Sequence, residues 1–432
     1  MTQPVATPRV RRTQWLALTM LLFGGAIAYV DRATLSIANP LIRKEMGLSV
    51  ADMGLLLSAF LWAYAIAQLP AGGIVDRLKP RLALGLGLMF WSVAQLFGGF
   101  VGNFWQFVTA RVALGLGESP QYLTGSRVAR DWFHAKDRGL ATGVFISASA
   151  FGTAISAPML TFLMLAFGWR WMFAIMGFAG LVLGGLWLAF YRDPEKAGLT
   201  AEERAYLVEG DVRSTAKPES NLREWGRMFR FRTTWGVVAG HFGEVYMIWL
   251  YTAWLPGYLE MERHMSIKTT GWVAAIPFIA ATIGGLWGGW IGDVLVRRGW
   301  TPIDSRRYPL TISLLLVGVF TAWAAFIESN IAAVALISVS MFLNQIASTS
   351  VWSIAPVASP KKYTASFAGI SNCGGYIGAA LAPTVTGFIV QATGSFVPAL
   401  LVGSAVAVVG AILFFGLITV PLTDADLAEA PA

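Results

Sequence analysis

A chain of 432 residues with 56% hydrophobic side chains, 18 tryptophans and 13% charged residues carries too much apolar surface to coat a water-soluble globule. Its net charge of +8 comes with no RNA- or DNA-binding motif, so a nucleic-acid partner is excluded as the reason for it. A single cysteine, Cys373, excludes a disulfide framework.

About 20 apolar residues cross the hydrocarbon core of a bilayer. Runs of that kind predict twelve spans, at 15–41, 53–75, 82–102, 105–126, 139–161, 168–191, 233–256, 271–292, 309–327, 331–355, 364–390 and 396–420. The first run is too long for a signal peptide and shows no small-residue cleavage site, so it is expected to remain as a helix.

Within that first span, "AYVDRATLSIANP" holds the adjacent charges Asp31 and Arg32. A charge at bilayer centre costs roughly 3 kcal/mol even on lenient scales, so such residues are functional candidates by default. The second span ends in "GGIVDRLKPR", where Asp76 is expected to pair with Arg77 or Arg81, or to sit near a neighbouring helix N-terminus, and so latch two helices in one gating state.

The fourth span carries Arg111 and Glu118, seven residues apart and hence on one helical face. Asp31 and Arg32, being successive, diverge by about 100°. An arrangement with the first and fourth spans side by side would set Asp31 near Arg111 or Glu118 and turn Arg32 into the central cavity. Four charges then sum to zero, and a proton on either acid frees an arginine to hold an anion.

After the sixth span, 192–230 is the only long polar stretch; Thr200 and Glu203 have capping-box spacing and predict a short helix beginning "AEERAYL". The seventh span places His241 and Glu244 on one face in "GHFGEVYMIWLY". Substrate contact, interfacial salt bridge and solvated helix end all remain open for this candidate additional site, and two ligands are too few for a metal. The tenth span, "NQIASTSVWS", and the eleventh, "GISNCGGYIG", add Asn344, Ser348, Trp352, Ser371, Asn372 and Tyr376, polar groups suited to a polyol chain.

Of the 32 Lys and Arg, 25 fall in loops on the side of the N-terminus, which predicts cytoplasmic N- and C-termini in a multi-pass cell (inner) membrane protein. Internal repeats divide the chain: Pro40 is answered by Pro256, "GGIVD" ending at Asp76 by "GGWIGD" ending at Asp293, and "ISASAFGTAISAP" by "ISNCGGYIGAALAP". The expected fold is all-α, with twelve transmembrane helices in two six-helix pseudo-repeats, 1–191 and 231–432, joined by the linker 192–230, and with a substrate site between them at mid-membrane.

These motifs carry a family resemblance. Gly72, Asp76, Arg77 and Arg81 match the loop signature of the major facilitator superfamily, with Lys79 and Pro80 departing from it; the second copy keeps Gly289, Asp293, Arg297 and Arg298. More narrowly, "YVDRATLSIANP", "RVALGLGESPQYLTGSRVARDWF" and "LTAEERAYL" resemble the anion:cation symporter branch and its sugar-acid (hexonate):proton symporters. The resemblance implies protons carried by Asp31 and Glu118, a substrate carboxylate on Arg32, and Arg111 as the partner tuning the acids. It implies hydroxyl contacts from Tyr29 and Tyr64 and a match at Asn372 in the eleventh span. Hexonate carriers have a glutamine where this chain has Ser149, whose hydroxyl is shorter and cannot offer both amide donor and acceptor.

The expected function is proton-coupled import of a small organic carboxylate, most simply a sugar acid of the galactonate, glucarate or hexuronate type, by alternating access and without a cofactor or metal. Alternatives are an importer of aromatic or other aliphatic carboxylates and an organic-anion or drug antiporter. No His-Glu-x-x-His, Gly-x-Ser-x-Gly or phosphate-cradling loop suggests an enzyme. A monomer is the family expectation.

Overall fold

The computed structural model describes residues 6–134, 137–208, 226–359, 364–418 and 421–422. Helices α1 (Pro8–Met46), α2 (Val50–Gly98), α3 (Phe104–Glu118), α4 (Pro120–Trp132), α5 (Arg138–Phe167), α6 (Trp169–Phe190) and α7 (Ala201–Val208) precede α8 (Arg232–Met261), α9 (Ile267–Val273), α10 (Ala275–Arg297), α11 (Asp304–Phe326), α12 (Asn330–Trp352), α13 (Ala355–Ala358), α14 (Thr364–Thr393) and α15 (Val397–Leu417). No strand occurs among the described residues. Among the described residues, ten helical segments are long and apolar enough to cross a membrane, two of them within α2 and one made of α9 with α10. The other two predicted spans are α3 with α4, which meet at Ser119, and the less apolar α8.

Local chemistry sets the helix ends. Thr7 accepts from Val10 N with a proline in the first turn of α1, and Gly47 closes that helix at φ 65°. Asn103 caps α3 by accepting from Gln106 N at 3.0 Å, and Ser329 caps α12 through Ala332 N. Two predicted spans run together as α2, bent at Lys79 (φ 64°, ψ 163°). Lys79 precedes Pro80, whose ring disfavours the helical conformation there, and a non-glycine residue in that region costs about 1–3 kcal/mol. Neighbours hold the bend: Lys79 Nζ donates to Glu195 at 2.9 Å and Asp193 accepts from Arg81 N at 3.2 Å.

The chain forms two compact units, Met1–Gly47 with Ala59–Thr215, and Leu48–Ser58 with Ala216–Ala432. In the first, α1 packs along α5 and touches α4 and α6; in the second, α8 lies along α14 and α15 while α12 joins α10 and α11. Large apolar side chains such as Phe162, Phe178, Leu286 and Ile331 stand exposed, as a bilayer-facing surface requires.

The two units repeat their polar seals. Glu45, at the end of α1, accepts from Trp169 Nε1 (2.6 Å) and Arg170 Nη2 (2.8 Å) at the start of α6. Glu262, just past α8, accepts from Ser395 Oγ and Phe396 N (2.9 Å each) at the start of α15. Likewise Arg81 donates to the Leu188 carbonyl near the end of α6, and Arg307 to the Phe415 carbonyl near the end of α15.

The expected linker helix is α7, with the predicted capping box intact: Glu203 N donates to Thr200 Oγ1 at 3.2 Å and Thr200 N to Glu203 Oε2 at 3.0 Å. Thr7 also donates to Glu203 at 2.6 Å and Arg9 to the Ala197 carbonyl at 2.6 Å, so α7 is tied to the start of α1. The rest of the expected linker, 209–225, lies outside the described residues.

Candidate functional site

The buried charges of the first unit converge. Arg32 Nε donates to Glu118 Oε2 at 2.8 Å, with the two side chains 7% and 0% exposed. Asp31 is fully buried; Arg111 and Glu118 act on it electrostatically, and the Trp91 indole faces it. Arg111 in turn faces both acids.

The pairing differs from the expected one. Arg32, expected to turn into the central cavity, is held by Glu118; Asp31 lies near Arg111 and Glu118 as expected, but makes no hydrogen bond through either carboxylate oxygen among the described residues. Because Asp31 and Arg32 diverge around the helix, the rotation of α1 decides which of them meets α3, and sequence spacing does not encode that rotation. A small polar chain steadies α1 here: Thr34 donates to the Asp31 carbonyl at 2.6 Å and Gln95 to Thr34 at 3.2 Å.

Aromatic rings enclose the guanidinium of Arg32. Its Cζ lies 4.6 Å from the Tyr29 ring centroid, 4.9 Å from Tyr64 and 5.1 Å from Phe60. Phe60 serves both arginines, since Arg111 Cζ is 5.3 Å from the same ring. Such contacts are each worth about 2 kcal/mol when desolvated, and they suit arginine's planar, weakly hydrated head. Close packing of α2 on α3 permits this: a Cβ on Gly115 would lie 2.5 Å from the Phe60 carbonyl and 3.0 Å from Tyr64 N.

Tyr122 completes the wall. Its ring meets Tyr29 edge-on at 6.4 Å, and its buried hydroxyl has no hydrogen-bond partner among the described residues. Glu118 Oε1 and Arg111 Nε and Nη1 are likewise buried and unpartnered there. Sequence analysis missed Tyr122, Phe60 and Trp91. Tyr122 lies four residues beyond Glu118, a spacing that puts it on the same helical face, and that signal was available.

The remaining candidates lie elsewhere. Ser149 is half-buried and donates to the Ile146 carbonyl of its own helix at 2.8 Å. Gly72 has open space around it and Arg77 is exposed. Asp76 does not pair with Arg77 or Arg81: it accepts from Nη1 of Arg127 in α4, whose Nε donates to Asp131 at 2.7 Å, while Arg81 is occupied at the end of α6. This ion pair joins α2 to α4. In the second unit Asp293 lies 3.8 Å from Arg306 at the start of α11, the helix that follows it in the chain, and so does not repeat the α2–α4 pairing.

Also in the second unit, His241 Nδ1 lies 2.8 Å from Ser371 Oγ and its ring packs edge-on to Trp352 at 5.5 Å. Glu244 is fully buried in α8 and Asn372 is half-buried in α14. No cluster of three or more His, Cys, Asp or Glu that could hold a metal occurs among the described residues.

The arrangement can hold a carboxylate against a caged guanidinium and exchange it when a proton neutralises Glu118. Comparison with known proteins agrees with the fold. A model of the Major Facilitator Superfamily matches residues 21–383. The chain is 43% identical over 416 residues to a probable L-galactonate transporter of Escherichia coli K12, covering 96% of this chain and 92% of that one. It is 31% identical over 424 residues to a D-galactonate transporter of Escherichia coli O6:H1, covering 96% and 98%. Among solved structures, an inward-facing, unoccupied bacterial homologue of the human lysosomal transporter Spinster superposes with a TM-score of 0.73 over 96% of each chain at 16% identity. The chain, with its two helical units and its acid–arginine pairs at Asp76 and Asp293, belongs to the Major Facilitator Superfamily of membrane transporters.

Proposed function

We propose that the protein is a proton-coupled symporter for a sugar acid of the galactonate type, working by alternating access. The observation that carries this reading is Arg32, a caged guanidinium already holding a buried carboxylate at 2.8 Å. A substrate carboxylate offers the same oxygens and charge as Glu118. It displaces Glu118 without net change of charge once a proton neutralises that acid, and Arg32 then holds the substrate. Proton and anion therefore enter together. Asp31 is the second proton carrier, and Arg111, facing both acids, sets when each gives its proton up.

Two named galactonate transporters among the relatives support a polyhydroxy acid as the cargo. Tyr29 and Tyr64, whose rings pack on Arg32, and Tyr122, whose ring meets Tyr29, carry hydroxyls that suit the cargo's hydroxyl groups. The orientation we assign puts the termini in the cytoplasm of a cell whose inner membrane the protein spans, as a monomer.

The test is uptake of labelled L-galactonate into proteoliposomes with an imposed pH gradient, with D-galactonate, glucarate, an aromatic carboxylate and galactose as competitors. Gradient-dependent accumulation blocked by sugar acids is the expected result, with Arg32→Ala losing binding and Asp31→Asn losing uphill uptake. Accumulation indifferent to the gradient, or competition by galactose in preference to the acids, overturns the reading. Preferential competition by the aromatic acid reassigns the cargo.

A further inference from the structure

Glu244 of α8 is 0% exposed, and neither carboxylate oxygen has a hydrogen-bond partner among the described residues. Its surroundings are neutral. From α12, Asn344 donates Nδ2 to the Glu244 backbone carbonyl at 3.2 Å, leaving its own Oδ1 buried and unpartnered, and the Ser348 hydroxyl faces the carboxyl. From α8 itself the titratable neighbour is His241, one turn away, occupied by Ser371 of α14 and abutting Trp352. Beside it, Gly243 is packed by the Val406 backbone carbonyl and Gly410 of α15 and by Leu314 of α11, none of them titratable or charged. Among the described residues no charged side chain acts on Glu244.

An unpaired carboxylate in such a place costs several kcal/mol, and no arginine offsets it here as Arg32 does for Glu118. The proton is the one balancing charge available. With it bound, the carboxyl is a neutral group beside the Ser348 hydroxyl; without it, the anion requires water. A carboxyl of this kind takes and yields its proton as its surroundings pass between dry and wet, which alternating access provides.

The internal repeat strengthens the assignment. Glu118 stands fifteen residues past the cap Asn103 of α3, and Asn344 fifteen past the cap Ser329 of α12. The amide therefore occupies the place of the first unit's proton-binding acid. The same pair of helices that sets Arg32 against Glu118 in one half sets a lone acid against a neutral amide in the other.

We propose that Glu244 is a third proton-carrying group of the transport cycle, located in the second unit, with Asn344 and Ser348 as positioning residues. This rests on the proton-symport reading above. The experiment is the proton-to-substrate ratio of the full-length protein in proteoliposomes, measured with L-galactonate and a pH dye. Glu244→Gln is expected to carry one proton fewer per substrate, which lowers the accumulation ratio about tenfold per unit of imposed pH gradient, while Glu244→Asp keeps the wild-type ratio.

A coupled wild type with an unchanged ratio in Glu244→Gln overturns this assignment alone, whereas a wild type that moves no protons overturns both readings. Uptake that follows a sodium gradient at clamped pH, and loses that dependence in Glu244→Gln, gives the site to sodium and also overturns it. If Glu244→Gln does not assemble, infrared spectroscopy reads the same proton. A carboxylic-acid C=O band displaced in Glu244→Asp is expected, and a band indifferent to that change refutes the proposal.

Discussion

Replacing Glu118 by Gln removes the anion that holds Arg32 and alters little else in shape. The pair is 2.8 Å apart with both side chains essentially dry, so the variant leaves a buried guanidinium without its counter-charge. Removing one member of such a pair costs about 3–5 kcal/mol, and the amide oxygen, still able to accept from Nε, recovers about 1 kcal/mol. A net loss of about 2–4 kcal/mol is a factor of roughly 30 to 1,000 in the folding equilibrium. A carboxylate ligand on Arg32 supplies the missing charge. Glu118→Gln should therefore unfold at a lower temperature than the wild type without ligand and gain more from L-galactonate at fixed pH. The assay is thermal unfolding of the purified protein with L-galactonate or its neutral amide, alongside transport. Uphill accumulation should vanish while exchange persists. A variant as stable as the wild type, with the same ligand shift, would refute the dependence of Arg32 on Glu118.

Three further expectations follow from the geometry. Tyr122→Phe deletes an unpartnered buried hydroxyl; it should leave stability unchanged or raised and weaken sugar-acid binding about 2- to 10-fold, as one hydrogen bond of about 0.5–1.5 kcal/mol implies, measured by competition uptake. Gly115→Val sets carbon against the Phe60 carbonyl, where a Cβ would lie 2.5 Å away, and should cost at least about 1–3 kcal/mol and abolish uptake; normal uptake would show that α2 and α3 separate freely. Glu203 is held below the usual carboxylate range, first by the Thr7 hydroxyl and then by Thr200 N. A depressed folded-state value stabilises the tie of α7 to α1 above the ordinary carboxylate pKa, and the tie is lost as pH falls through the lowered value. Hydrogen exchange over Ala201–Val208 should thus be slow at neutral pH, rise only in strong acid, and be fast at neutral pH in Glu203→Ala.

Much of the architecture was readable because a bilayer imposes span length and forbids unpaired charge. That is why the twelve runs, the short helix after Thr200 and the convergence of Asp31, Arg32, Arg111 and Glu118 could be anticipated. Helix rotation could not, so the choice of Arg32 over Asp31 as the partner of Glu118 came only with coordinates. Asp76 illustrates the same limit at longer range: Arg77 and Arg81 are its neighbours in sequence, yet Arg127 reaches it because α4 packs there and Arg81 is drawn to the Leu188 carbonyl. Tyr122 escaped notice because tyrosines in membrane proteins so often mark the lipid interface. The bend at Lys79 was written in the proline that follows it, although the runs on either side were apolar enough to hide its cause.

The matched clamps at Glu45 and Glu262 bear on how the chain is made. Every partner of Glu45 lies at or before Arg170, so that seal closes while translation is still far from the second half. Glu262 must wait for Ser395 and Phe396, which emerge only with α15. The nascent protein thus secures its first bundle early and leaves Glu262 without these partners until the start of α15 is made.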